Sequence, residues 1–98
     1  MHSANLFVPV AQFRWLEGQE QVGKYDLKEA KYLTTSFCKQ CGSSMPWEVK
    51  GIPNMVVPVG TLDEDPKIKP QQNIYCASQA SWYVESSELP KYAELPGE

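Results

Sequence analysis

The chain lacks any apolar run approaching the ~18–20 residues that a membrane-spanning helix needs. Its first residues, Met1-His2-Ser3-Ala4-Asn5, carry neither a basic cluster nor an apolar stretch. No secretory signal is therefore read, and the cytoplasm is the expected compartment. Positive charge is in short supply: nine Lys and Arg face twelve Asp and Glu, a net charge of −3. That argues against a nucleic-acid surface, which normally presents a basic face. Histidine occurs once and cysteine three times, an odd number that suits free thiols or metal ligation better than a disulfide scaffold. Leu, Ile, Val and Phe make up only about a fifth of the chain, close to the level below which folding fails for want of a core. Three Trp, five Tyr and three Phe add bulk, so a core is expected, but a thin one. There is no low-complexity segment and no Gly-rich phosphate loop. Ninety-eight residues allow one domain, residues 1–98.

What is present reads mainly as short strands. Leu6 to Val10 is rich in β-formers, and Pro9 marks it as an edge strand. Phe13 and Trp15 alternate with Gln12 and Arg14, the pattern of a half-buried strand ending at Glu17-Gly18. Gly23 to Glu29 is polar and ambiguous. Tyr32 to Phe37 alternates again, with Leu33, Thr35 and Phe37 on one face and Tyr32, Thr34 and Ser36 on the other. Met45–Val49 and Met55–Val59 flank Lys50-Gly51-Ile52-Pro53-Asn54, a hairpin signal. Asn73–Ala77 and Trp82–Val84 read as two further strands. The triplet Val-Pro-Val occurs at residues 8–10 and 57–59 and reads as two similar strand ends. Helix has little support: Asp26 to Tyr32 has suitable residues but is too short to stand alone. Residues 89–98, with Pro90 and Pro96, read as an extended tail.

The sharpest chemical signal is Phe37-Cys38-Lys39-Gln40-Cys41-Gly42. Two thiolates separated by two residues can hold one tetrahedral metal from a tight turn, and Gly42 permits the positive φ that aims backbone N–H groups at sulfur. Strands on both sides make it a knuckle, half of a zinc-ribbon arrangement. A redox dithiol and a pair of inert cysteines are the competing readings, but the first expects a helix N-terminus at the leading cysteine, where this chain continues into Gly42-Ser43-Ser44 and a strand. Zinc (Zn2+) takes four ligands in a structural site. Cys38 and Cys41 supply two. Cys76 reads as a buried strand cysteine and His2 as a terminal surface residue, so the remaining ligands are expected from sequence outside this chain or from a second chain.

The sequence resembles the glutathione-dependent formaldehyde-activating enzyme family, which also includes a centromere-associated protein. The resemblance is carried in order by Ser3-Ala4-Asn5-Leu6-Phe7-Val8-Pro9, Phe13-Arg14-Trp15-Leu16-Glu17-Gly18, Ser36-Phe37-Cys38-Lys39-Gln40-Cys41-Gly42-Ser43, Val59-Gly60-Thr61-Leu62-Asp63-Glu64-Asp65-Pro66, and Asn73-Ile74 followed by Ala80-Ser81-Trp82-Tyr83. It implies a mainly β, zinc-associated β-tent fold with short antiparallel sheets. It also implies a structural zinc on four cysteines, from an early C-x-C pair and a later C-x-x-C, and a catalytic zinc on a C-x-C-x-x-C motif. Only the later pair has counterparts here, Cys38 and Cys41 in the structural site. The chain therefore reads as the C-terminal part of the family domain: it lacks the catalytic zinc ligands, its catalytic residues are unknown, and alone it is expected to be inactive. The implied reaction is condensation of formaldehyde with glutathione by a carbon–sulfur lyase, with glutathione and a small aldehyde as partners.

Other constellations are weaker. Asp63-Glu64-Asp65-Pro66 reads as an acidic turn rather than a cation site. Glu48 reads as a solvent-facing strand residue. Trp15, Trp47 and Trp82 are expected in the core rather than along a ligand groove. Lys67-Ile68-Lys69 reads as a solvated loop, and His2 cannot serve a hydrolytic triad because nothing orients it. Two functions follow: a zinc-dependent carbon–sulfur lyase or a fragment of one, or a non-catalytic zinc-binding β-domain acting as a structural or interaction module. In either case unpaired edges and apolar patches predict a homo-oligomer.

Overall fold

In the computed structural model, residues 3–97 are described; His2 lies outside them. The fold is mainly β. The strands are β1 (Asn5–Pro9), β2 (Val22–Asp26), β3 (Thr34–Cys38), β4 (Trp47–Glu48) and β5 (Asn54–Pro58). The helical elements among the described residues are three-residue 3-10 turns, at Val10–Gln12, Gln19–Gln21, Val59–Thr61, Cys76–Ser78 and Ser86–Glu88. Two antiparallel sheets form: one of three strands in the order β1-β5-β4, and a ribbon of β2 and β3. No helix among the described residues is long and apolar enough to cross a membrane.

β5 is the centre. Its partners place Val8 and Glu48 beside Met55 on one face, and Phe7 and Trp47 beside Val56 on the other. Met55, Val56 and Val57 are all buried, so the strand is covered on both faces rather than alternating. Val49 completes the buried apolar set. β1 takes the edge position that Pro9 predicts, and β4 is held to two paired residues because Pro46 has no N–H to extend the ladder. The expected hairpin at residues 50–54 is present. Gly51 takes φ +75°, and the Val49 and Asn54 N–H groups donate to Asn54 and Ile52 carbonyls at 2.9 and 2.8 Å. The two Val-Pro-Val triplets play the same part: each ends a strand at proline and opens a 3-10 turn.

The polar segment that the sequence left ambiguous becomes β2, paired with β3 from Val22↔Cys38 to Asp26↔Thr34. Its pairing surface is unusual. The buried face of β3 is polar, with Thr34 and Ser36 about 95% buried, while Leu33 on the other parity is 43% exposed. Thr34 Oγ1 donates to Asp26 Oδ1 at 2.8 Å, which satisfies one buried hydroxyl. Gly23 is required where it is: a Cβ there would lie 2.6 Å from the Phe37 ring that covers it across the ladder. Between the sheets, Lys50 Nζ donates to the carbonyls of Leu27 and Ala30, both at 2.9 Å, and fastens the β2–β3 connection to the hairpin.

Three expected strands do not form. Phe13–Trp15 is extended, but the 3-10 turn at Val10–Gln12 leads it off the β1–β5 ladder, and its two rings pack edge to face at 5.3 Å instead. At Asn73–Ala77 extension is broken by Tyr75, whose φ of +58° leads into the 3-10 turn. At Trp82–Val84 the chain turns, with Tyr83 N–H donating to the Ala80 carbonyl. Cys76 is accordingly exposed in a turn and not buried in a strand, and Trp82 is 70% exposed and not a core residue. Trp15 and Trp47 are half-buried.

The chain is open. Its radius of gyration is 15.8 Å, against about 13 Å for a compact chain of this length. Its accessible surface is 8552 Å2, against roughly 5,700 Å2 for a compact monomer of its mass. Residues 89–97 carry no strand and are exposed.

Gly23→Ala is expected to destabilise the chain by about 1–3 kcal/mol through overpacking against Phe37. Gly23→Ala with Phe37→Leu should recover part of the loss. Urea unfolding of the two variants beside the parent measures the coupling.

Candidate metal centre and adjoining groove

The turn between β3 and Ser44 is built by backbone hydrogen bonds. Cys38 N–H donates to the Ser43 carbonyl at 2.9 Å, and Gly42 N–H donates to the Cys38 carbonyl at 2.8 Å, with Gly42 at φ +80°. A bridge between Phe37 and Ser44 and a bond from Met45 N–H to the Ser36 carbonyl close the turn at its base. The segment then crosses at Pro46 to join the other sheet as β4. Lys39 anchors the tip through its N–H on the Gln21 carbonyl, at 2.8 Å. The first two ligand candidates are thus held on a hydrogen-bonded five-residue turn between two β-segments.

Cys38 is half-buried, Cys41 is exposed, and both are free thiols. Each sulfur has a hydrogen-bonding neighbour. Gln40 N–H donates to Cys38 Sγ at 3.4 Å. Cys41 Sγ lies 3.2 Å from Ser43 Oγ, donating to it as a thiol; once ionised, the sulfur accepts from the hydroxyl. The Ser43 hydroxyl, helped by the Ser43 backbone and the nearby Cys38 side chain, holds the Cys41 thiol below the usual thiol range. Two thiols on one turn, each beside a donor, have the chemistry of two ligands of a soft divalent metal, half of what a tetrahedral set needs. Among the described residues, no group of three or more His, Cys, Asp and Glu side chains comes together.

The other sequence candidates lie apart from the knuckle. Asp65 Oδ1 accepts from Lys67 N–H at 2.8 Å, so the acidic segment closes on its own backbone as a turn. Cys76 borders a shallow depression of about 160 Å3 with Tyr83 and Glu85. Desolvation, and then the Glu85 carboxylate, raise the Tyr83 phenol above its ordinary value.

A larger groove of about 240 Å3 lies beside the knuckle's ribbon. Phe13, Trp15 and Trp47 supply its rings, and Arg14, Lys24 and Glu48 its charges. Glu48 is exposed on β4, as its strand position predicts, and yet borders this groove. Lys24 pairs with Ser36; its neighbour two places back, Val22, pairs with Cys38. Strand rise puts those two positions about 7 Å apart on one face. Sequence reasoning missed Arg14 and Lys24. The first read as the outward side of a strand, the second lay in a segment without pattern, and only tertiary placement joins them.

The family model described as glutathione-dependent formaldehyde-activating enzyme matches residues 1–78. The chain belongs to that family. No curated protein and no solved structure matches it. All five strands and both cysteines of the knuckle fall inside the family match; the segment from Gln79 onward lies beyond it.

Ser43→Ala is expected to move the Cys41 thiol up toward the ordinary range. Because the parent value is depressed, Cys41 alkylation by iodoacetamide should rise at lower pH in the parent than in the variant. The pH profile of the alkylation rate checks it, with Cys38→Ser and Cys76→Ser present in both chains.

Proposed function

We propose that this chain is part of a zinc-dependent carbon–sulfur lyase that joins formaldehyde to glutathione. The family match carries the reading. In the reaction a carbon–sulfur bond forms between the thiol sulfur and the aldehyde carbon, and the thiol proton ends on the former carbonyl oxygen. Zinc supplies Lewis acidity to such chemistry where it is catalytic, and a rigid cross-link where it is structural. The role of Cys38 and Cys41 is the structural one. Their turn is held by the backbone, and their donors favour the thiolate forms that zinc requires. The site chemistry is that of the cytoplasm, where thiols stay reduced.

Two thiolates are half of a tetrahedral set, so the site is completed by ligands from outside residues 3–97. A second copy of the chain supplies them most simply, because two-fold symmetry turns a pair into four. The open shape supports this: the surface beyond that of a compact monomer is about 2,900 Å2, more than the roughly 800 Å2 per partner that a standard interface covers. The folded unit comprises both sheets, with residues 89–97 as an extended appendage. The alternative function is a zinc-binding interaction module that shares the metal site and lacks turnover. The exposure of Phe7, Leu16, Tyr75, Trp82 and Leu95 favours it as a second reading.

Metal analysis and sizing test the proposal. About half an equivalent of zinc per chain is expected, in a dimer that a chelator dissociates. Cys38→Ser or Cys41→Ser should abolish uptake, whereas Cys76→Ser should leave it intact. A monomer of unchanged size with and without chelator would refute the shared site. The catalytic triplet has no counterpart in this chain, so the zinc-loaded chain is expected to form the glutathione–formaldehyde adduct no faster than the uncatalysed reaction; measurable turnover would overturn the reading that the catalytic ligands lie outside it.

A further inference from the structure

Charge is divided unevenly along the chain. Residues 62–98 hold three of the nine cations and seven of the twelve carboxylates, a net charge of −4, whereas residues 1–61, which include all five strands, carry +1. The acidic end also contains a short repeat: Glu-Leu-Pro occurs at residues 88–90 and again at 94–96. Across the repeat, Glu88, Lys91 and Glu94 recur every three residues, and so do Leu89, Tyr92 and Leu95. An extended, proline-punctuated chain turns once in three residues, so in that conformation each trio lines one side. All six side chains are exposed. Among the described residues, no side-chain hydrogen bond or ion pair engages the three charged ones. A row of exposed apolar side chains on a strand-free arm marks a contact surface.

The groove beside the knuckle is the inverse of this arm. Arg14 and Lys24 bring it two positive charges and Glu48 one negative charge, against the arm's two carboxylates and one ammonium. Its rings are those of Phe13, Trp15 and Trp47, and aromatic-lined grooves receive extended proline-punctuated segments, with charged groups fixing their placement. The single chain does not make this contact itself: its own arm is exposed, with bends at residues 93–95. Resting on the two-fold dimer proposed above, we propose that residues 88–96 of a second copy lie in this groove, so that two arms are exchanged across the pair. The groove adjoins the ribbon that carries the knuckle, where the second copy is seated. Glu88 and Glu94 meet Arg14 and Lys24, Lys91 meets Glu48, and the apolar row lies against the rings. The surface beyond that of a compact monomer, about 2,900 Å2, leaves room for this contact over the roughly 800 Å2 per partner of a standard interface.

Trypsin cleavage after Lys91 of the full chain, read by mass spectrometry against cleavage after Lys67, reports on the arm. Relative to Lys67, Lys91 should be cut about tenfold more slowly in the zinc-loaded chain than after chelation, because proteolysis follows the population of undocked arm. Arg14→Gln with Lys24→Gln should restore fast cleavage at Lys91 and leave zinc uptake unchanged, and so should Glu88→Gln with Glu94→Gln. Sedimentation of either variant with zinc should show a dimer weakened about a hundredfold, tenfold for each of two symmetry-related arms. All four substitutions together should weaken it no further than either pair, since both pairs remove the same contacts. The four residues are exposed, so circular dichroism of the variants should match the parent. A zinc-bound dimer in which Lys91 is cut as fast as after chelation would overturn the exchange. Lys91 protected in a chelated monomer would place the arm on its own chain and overturn the second-copy assignment. A chain that stays monomeric with zinc bound would overturn both the exchange and the shared metal site. A dimer that protects Lys91 and takes up no zinc would overturn the metal reading alone and leave the exchange standing.

Discussion

Met55, Val56 and Val57 must find cover on both faces of one strand, and most of the architecture answers that demand. An ordinary half-buried strand needs one apolar neighbour layer; β5 needs two. β1 and the short β4 flank it, and Trp47 and Phe7 stand beside Val56 in the ladder. Each fully buried side chain of this size contributes about 1.5–3 kcal/mol, so a handful of residues carries the apolar stabilisation of the whole fold. The second sheet has little apolar burial to offer. Its buried face presents Thr34 and Ser36, and it holds through hydrogen bonds and through Phe37 lying over Gly23.

The knuckle sits where these two sheets meet. β3 ends at Cys38, the turn reverses at Gly42, and Met45 is still bonded to β3 before Pro46 hands the chain to β4, which pairs with β5. The sulfurs are therefore fixed by backbone geometry that both sheets share. A metal bound there would tie the polar ribbon to the apolar sheet, adding a cross-link where the packing is thinnest. The groove lies on the same junction, with β2 contributing Lys24 and β4 contributing Trp47 and Glu48. A group bound across two sheets that pack weakly on their own would become part of the structural framework.

Local rules were enough for part of this. The hairpin at residues 50–54, the edge position of β1 and the turn at Cys38–Cys41 each follow from glycine, proline and alternation within a few residues. The failures have a common cause. Phe13–Trp15, Asn73–Ala77 and Trp82–Val84 have the composition of strands, yet a strand exists only if a partner lies alongside it, and neither alternation nor β-propensity encodes partner availability. The ambiguous segment resolves the same way: Val22–Asp26 has weak propensity, but pairing with β3 makes it a strand. Cys76 read as buried because of its residue type, whereas the left-handed Tyr75 before it turns the chain outward. Arg14, Lys24 and Glu48 come from three distant stretches of sequence, so nothing local could have joined them.

The fastening of Lys50 has a further consequence. Its two acceptors are the carbonyl oxygens of Leu27 and Ala30, not carboxylates. Carboxylate partners lose their charge near pH 4, and an ion pair fails with them. Carbonyl oxygens keep their dipoles throughout that range. The joint between the two sheets is therefore built to persist in acid, and what would release it is chemistry at the amine itself, such as acylation, which removes the charge and leaves two carbonyls to find water.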